Sequence, residues 1–146
     1  MTDALAKDPC IASALRDAAR RASEAYDAAL AGSGLKVTQY RALALIALAE
    51  APPSISDLAR AMGLDRSTLG RNLRILERCG LLDFEGGEDE RARHAALTPA
   101  GRAALDAARP LWAEAQASLR AALTPAEADR LLSLLARVPQ DPPPPA

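Results

Sequence analysis

With 146 residues, a formal net charge of −1, and 49% hydrophobic but only 3% aromatic residues, the chain has room for one helical domain. It lacks the overall positive charge of a protein that coats nucleic acid without regard to sequence. The longest apolar run, around 42–49, is too short to cross a bilayer, the first residues lack the pattern of a signal peptide, and two cysteines without CxxC spacing exclude a disulfide scaffold. The expectation is a single domain over 1–146 in a reducing cytoplasm, with no membrane partner.

Residues 1–7 read as a loose arm. Asp8-Pro9 supplies an N-cap and an N1 proline for a first helix that would place Cys10 at N2 and space Ile11, Leu15, Ala18, Ala22, Ala25 and Ala29 by fours and threes. Such a seam suits either a plain core helix or a dimer interface. The helix dipole would favour a Cys10 thiolate and Asp8 would oppose it, so Cys10 reads either as a redox-responsive thiol or as a semi-buried small hydrophobe.

Gly32-Ser33-Gly34 breaks the chain. Thr38 is expected to cap a second helix through Leu43, Ile46 and Ala47 to Glu50, which Pro52-Pro53 ends. Ser54 and Asp57 approximate a capping box ahead of a two-turn helix with Ile55, Leu58, Ala59 and Met62 on its apolar face, and Gly63 turns the chain. Asp65 then caps a helix in which 100° per residue puts Leu69, Leu73 and Leu76 on one face and Ser67, Arg71, Arg74 and Arg78 on the other. Between Leu58 and Leu82 five arginines (60, 66, 71, 74, 78) face two acids (Asp65, Glu77), a local charge of +3. Cys79, at the C-terminus of that helix, reads as packing.

From Leu81 the period becomes two, with Leu82 and Phe84 to one side and Asp83 and Glu85 to the other. Gly86-Gly87 and a polar stretch form a tip, and Arg93, Ala95 and Leu97 return. His94, the only histidine, has no ligand spacing with either cysteine, so no metal and no cofactor are expected. Thr98-Pro99 opens a long helix with Leu105, Ala108, Trp112, Ala115, Leu119 and Ala122 on one seam, and Pro110 inside it should bend it. Thr124-Pro125-Ala126-Glu127 is a full capping box for a last helix through Leu131, Leu135 and Val138, and 139–146 reads as a disordered, extended tail.

Two helices joined by a turn and followed by a hairpin is the order of a winged helix-turn-helix. The fold class is therefore mainly α with a small β-hairpin wing, in which 37–97 form a DNA-binding lobe and 8–31 and 98–138 a helical dimerisation region. In that geometry the Asp65 helix enters the major groove and the wing lies along the backbone or in the minor groove. Arg71 and Arg74 can donate bidentately to guanine, Ser67 and Thr68 to phosphate or base, and Arg66 can hold the register, with Asn72 and Arg78 on the same helix and Arg91 and Arg93 on the wing as further contacts. An enzyme is not expected: there is one histidine, no glycine-rich phosphate loop after a strand and no nucleophile with an evident base. The alternative is a winged helix that mediates only protein contacts, which the arginines argue against.

DLARAMGLDRSTLGRNLRILERCGLL, followed by EDERARHAALTPAGRAAL, resembles the MarR family of bacterial transcriptional regulators. Its D-x-R wing motif is here Asp89-Glu90-Arg91 and its LTxxG motif is Leu97-Thr98-Pro99-Ala100-Gly101. The resemblance extends to Leu15–Arg20 in the first helix and Pro110–Gln116 in the fifth. It implies a homodimer with interlocked first, fifth and sixth helices, reading successive major grooves of a pseudo-palindrome in double-stranded DNA. It further implies that Arg91 reaches the minor groove, oriented by Asp89, and that the protein represses until an effector changes the spacing of its two readers. A small-molecule effector would use the junction of the two parts, where Arg16, Arg20, Tyr26, Trp112 and Gln116 could contribute, an arginine suiting a carboxylate such as an aromatic acid; the same residues are equally readable as interface and surface. Some relatives sense oxidants through a cysteine near the N-terminus with tyrosines close by, which by resemblance makes Cys10, Tyr26 and Tyr40 candidates.

Overall fold

The computed structural model of the chain describes residues 10–86, 89 and 93–139. Among these, six α-helices and one hairpin follow in order: α1 (Ile11–Leu30), a 3₁₀ turn (Ala31–Ser33), α2 (Val37–Leu48), α3 (Ile55–Met62), α4 (Arg66–Arg78), β1 (Leu82–Glu85), β2 (His94–Leu97), α5 (Pro99–Ala121) and α6 (Pro125–Leu135). None of the described helices is long and apolar enough to cross a membrane.

Local chemistry sets most of these boundaries. Ser54 Oγ accepts the Asp57 N–H at 3.1 Å and Thr98 Oγ1 accepts the Gly101 N–H at 3.0 Å, each satisfying a donor that its helix leaves open. Thr124 and Glu127 close their box reciprocally, at 3.3 Å and 2.8 Å. Gly63 ends α3 with a φ of 64°, a conformation open to glycine at little cost.

Elsewhere the expected boundaries shift. Thr38 does not cap α2, which begins at Val37. Its opening N–H groups are instead met by Gln39 Oε1, accepting from Lys36 at 3.0 Å, and by Asp27 Oδ1 of α1, accepting from Val37 at 2.7 Å. The second acceptor is ten residues away, beyond the reach of a local capping rule. Cys10 is the N-cap of α1 and not its second residue, while Asp8 and Pro9 lie outside the described residues. Arg93 precedes β2 instead of lying within it, and Val138 lies beyond the end of α6. Pro110 sits inside an α5 that continues past it; without an N–H it cannot donate to the Asp106 carbonyl. Of the expected tail, 140–146 lie outside the described residues.

The hairpin is antiparallel, with Leu82 opposite Leu97 and Phe84 opposite Ala95. It gains a third rung: the Ala95 N–H donates to the Pro53 carbonyl at 2.9 Å, and Ser54 bridges His94. Pro52-Pro53 thus does more than stop α2, because it offers a carbonyl edge to the wing.

Packing divides the molecule unevenly. Of the seven largest fully buried side chains, Leu43, Leu69, Leu73, Leu76 and Leu82 belong to the lobe and only Leu30 and Leu105 lie outside it. At about 1.5–3 kcal/mol per buried leucine, the core is centred under α4. α1 lies along α5, and α2 touches α5 on one side and α3, α4 and β2 on the other. α6 buries only Ala128 and leaves Leu131, Leu132, Leu134 and Leu135 exposed.

Candidate nucleic-acid interface

Asp65 fixes the start of α4. Its carboxylate accepts the Thr68 N–H at 2.8 Å and the Thr68 hydroxyl at 2.5 Å, and the hydroxyl first, then the N–H, holds the carboxyl below its usual range. Leu69, Leu73 and Leu76 are buried, so Ser67, Arg71, Arg74 and Arg78 face solvent on the opposite side, as the helical spacing requires. Arg71 donates to the Thr68 hydroxyl at 3.4 Å, which ties the second turn of α4 to its cap. Asn72 is turned back on its own helix: its amide donates to the Thr68 carbonyl at 3.1 Å, and the residue is half-buried. It was expected as a further DNA contact on this helix, and it stands apart from the exposed strip of Ser67, Arg71, Arg74 and Arg78.

Between α4 and the wing lies an open groove of about 460 Å³, lined by Ile55, Arg66, Ser67, Gly70, Arg71, Arg74, Phe84 and Arg93. Four guanidinium groups from two elements converge on it. Arg93 is held over the Phe84 ring, 5.7 Å from its centroid, which directs a wing cation into the same space as the α4 cations. Planar donors of this kind match phosphate and the guanine edge. A shallower depression runs along Arg71, Arg74, Ile75, Glu77 and Arg78. Asp89 is exposed, and Arg91 lies outside the described residues. Gly70, Phe84 and Ile55 were absent from the sequence-derived set; the two-residue period that turns Phe84 toward Leu82's side was the available signal for one of them.

A second cluster lies where α1, α2 and α5 meet. Trp112 stacks between Tyr26 and Tyr40, with centroids 6.2 Å and 5.7 Å away, and the Tyr26 hydroxyl donates to Gln116 Oε1. Burial raises both phenols above their ordinary values, against a smaller opposing effect of Arg120 on Tyr26 and of Arg109 on Tyr40. Tyr26, Trp112 and Gln116 are thus brought together, with Tyr40 alongside. Arg20 does not join them: it binds Asp17 at 2.6 Å and Glu24 at 2.9 Å on the exposed face of its own helix. Arg16 is exposed and about 15 Å along α1 from Tyr26.

Cys10 is exposed, not semi-buried, and about 24 Å along α1 from Tyr26, so no single chain places Tyr26 beside it. Although its thiol closes no capping hydrogen bond, the nearby Ser13 N–H and hydroxyl, the Ala12 N–H and the Arg16 charge hold it below its ordinary value. Cys79 is also exposed, at the end of α4, which corrects its reading as packing. His94 is exposed on β2, and among the described residues no group of three His, Cys, Asp or Glu side chains could hold a metal ion.

A model of the MarR family matches residues 33–92, which span α2, α3, α4 and β1, the first strand of the wing. The chain is 39% identical to the Mycobacterium tuberculosis transcriptional regulator MosR, with a TM-score of 0.78 over 89% of this chain and 95% of that one. A structure of MosR in complex with DNA matches at 40% identity and a TM-score of 0.74, over 86% and 92%. A MarR family protein of the same organism, solved in complex with salicylic acid, matches at 26% identity and a TM-score of 0.67, over 92% and 100%. No curated protein matches. With the arginine-lined groove, the winged-helix order and these relatives together, the chain belongs to the MarR family of transcriptional regulators and carries its DNA-binding winged helix.

Proposed function

We propose that the protein is a sequence-specific regulator that represses transcription by occupying a pseudo-palindromic operator as a homodimer, and that a small-molecule or redox signal releases it. The observation that carries this reading is the groove in which Arg66, Arg71 and Arg74 of α4 meet Arg93 of the wing. Ser67 and Arg71, on the exposed face of the first two turns, read base edges. Arg66, Arg74, Arg78 and Arg93 hold phosphates, and by analogy with the family Arg91 reaches the minor groove with Asp89 orienting it. The net charge of −1 confines attraction for DNA to this footprint, which suits a protein that must also let go.

The exposed leucines of α6 support a second copy as the dimer partner. The aromatic cluster around Trp112, with Gln116, supports an effector site at the junction, and the relative solved with salicylic acid supports an aromatic acid as its class. The exposed Cys10, its thiol lowered, supports an oxidant as the other kind of signal. The protein works in the cytoplasm, where its DNA is.

The test is a gel shift with DNA from upstream of the protein's own gene, repeated with Arg71→Ala and Arg74→Ala. The wild type shifts at least one fragment. Arg71→Ala weakens binding by about 1–3 kcal/mol and relaxes preference at one base pair, whereas Arg74→Ala weakens binding to all sequences alike. Failure of the wild type to bind any promoter fragment would leave a protein-contact role for the winged helix instead.

A further inference from the structure

Glycine stands in the middle of α4 for no reason internal to the fold. It is about fivefold less favourable than alanine in a helix interior. Yet a Cβ on Gly70 would meet nothing within 4 Å, and the backbone there is ordinary helix. Gly34, Gly63, Gly80 and Gly86 have positive φ, and Gly101 is pressed against the Leu81 backbone, so each of those has its cause in the path of the chain. Open space alone does not explain it, since Gly32 in the 3₁₀ turn is equally open, but Gly70 also lines the arginine groove, where something from outside can come close to the helix backbone.

Its position identifies what approaches. Arg66, Gly70 and Arg74 recur every four residues and so form one row along α4, about 12 Å from first to last. All three line the groove that Phe84 and Arg93 close from the other side. Gly70 is therefore a notch between two cations and opposite a third. A polyanionic strand is drawn to such a place, and only the missing side chain lets it touch the helix backbone.

Resting on the DNA-reading role proposed above, we propose that Gly70 is the point of closest approach between α4 and one strand of the bound duplex. The sugar–phosphate backbone of that strand seats in the notch between Arg66 and Arg74, beneath Arg93. Gly70 is a positioning residue: it sets how deeply α4 enters the groove and so which bases Ser67 and Arg71 reach.

To test this, the wild-type protein selects duplexes from a random-sequence pool. Gly70→Ala is then titrated with the selected duplex over a range of salt concentrations, with thermal unfolding measured in parallel. The expected variant melts about 2–4 °C higher, because a helix former replaces glycine in open space. It binds at least tenfold more weakly, and the slope of log K against log salt shrinks by about one per reader as a phosphate contact is lost. Unchanged affinity overturns the proposal while leaving the DNA-reading role intact. So does a lower melting temperature, which would give the glycine a purpose in folding, or weaker binding with an unchanged salt slope, which would mean that the strand backbone does not fill the notch. A wild-type protein that selects no duplex removes the DNA-reading role and this proposal with it.

Discussion

Gly101 of α5 lies against the backbone of Leu81, so close that a Cβ added there would stand 1.7 Å from the Leu81 carbonyl oxygen. The same oxygen accepts the Thr98 N–H at 3.2 Å, and the Thr98 hydroxyl donates to the Gly80 carbonyl at 2.6 Å. Leu97–Gly101 is thereby a clamp that fastens the start of α5 to the link between α4 and β1. Gly101→Ala must move one backbone off the other, and it should destabilise the protein by about 3 kcal/mol, seen as a lower urea midpoint at unchanged m. A loss below about 1 kcal/mol would show that the contact yields easily.

That clamp also marks the boundary of what the residues disclose in order. The LTxxG motif was visible as a family resemblance and as a cap with an N1 proline, but the partner of Gly101 is a carbonyl twenty residues earlier, and no periodicity points to it. The same holds for Asp27, which caps α2 from α1, and for Pro53, whose carbonyl extends the wing. Features that depend on neighbours two to four residues away were legible: the buried row Leu69, Leu73 and Leu76, the caps at Ser54, Asp65 and Thr124, and the alternation at Leu82 and Phe84. The arginine strip was legible for the same reason. Its convergence with Arg93 was not, because it depends on the Phe84 ring that carries the guanidinium across. The separation of Arg20 from the aromatic cluster falls under the local rule and went unread, since Asp17 and Glu24 stand three and four residues from it on its own helix.

Acid should loosen the start of α4. The Thr68 hydroxyl and N–H hold the Asp65 carboxyl below its ordinary value, so the folded state binds that proton less readily than the unfolded state does. Stability from this group is therefore fully present above the unfolded value, about 3.9, and is lost as pH falls through the lower folded value. The Ser54 hydroxyl lowers Asp57 and the Thr124 N–H lowers Glu127, so the starts of α3 and α6 titrate in the same direction. Asp65→Asn keeps an acceptor but cannot titrate. Its urea midpoint should fall less than that of the wild type between about pH 5 and pH 2, and parallel curves would count against the cap as an acid-sensitive element.

Trp112 should matter more for joining its neighbouring helices than its partial exposure suggests. Its ring lies between Tyr26 of α1 and Tyr40 of α2, so one side chain on α5 connects α1 to α2. Trp112→Ala should cost about 3 kcal/mol, and Trp112→Phe, which retains a ring, about 1 kcal/mol. Unfolding must be followed by circular dichroism, since this is the only tryptophan in the chain. Equal losses for the two variants would mean that a phenyl ring restores neither the stacking nor the filled space of the indole, and would count against a ring at this place as the joint.

α6 carries a run of exposed leucines along its length. On α6, Leu131 is 45%, Leu132 56%, Leu134 43% and Leu135 41% exposed, while only Ala128 is buried. A helix with four solvent-facing leucines over five positions has little to gain from its own chain and much from a second copy. The wild type should sediment at twice the chain mass of 15.3 kDa. Leu131→Glu combined with Leu135→Glu should sediment at the single mass and keep its helical content, because neither side chain belongs to the core around Leu43, Leu69 and Leu73. DNA affinity should fall by about a hundredfold or more, since two half-sites would no longer be bound by one linked pair of readers. A double variant that remains dimeric would place the interface elsewhere than on α6, and a wild type that sediments as a monomer would remove the dimer altogether.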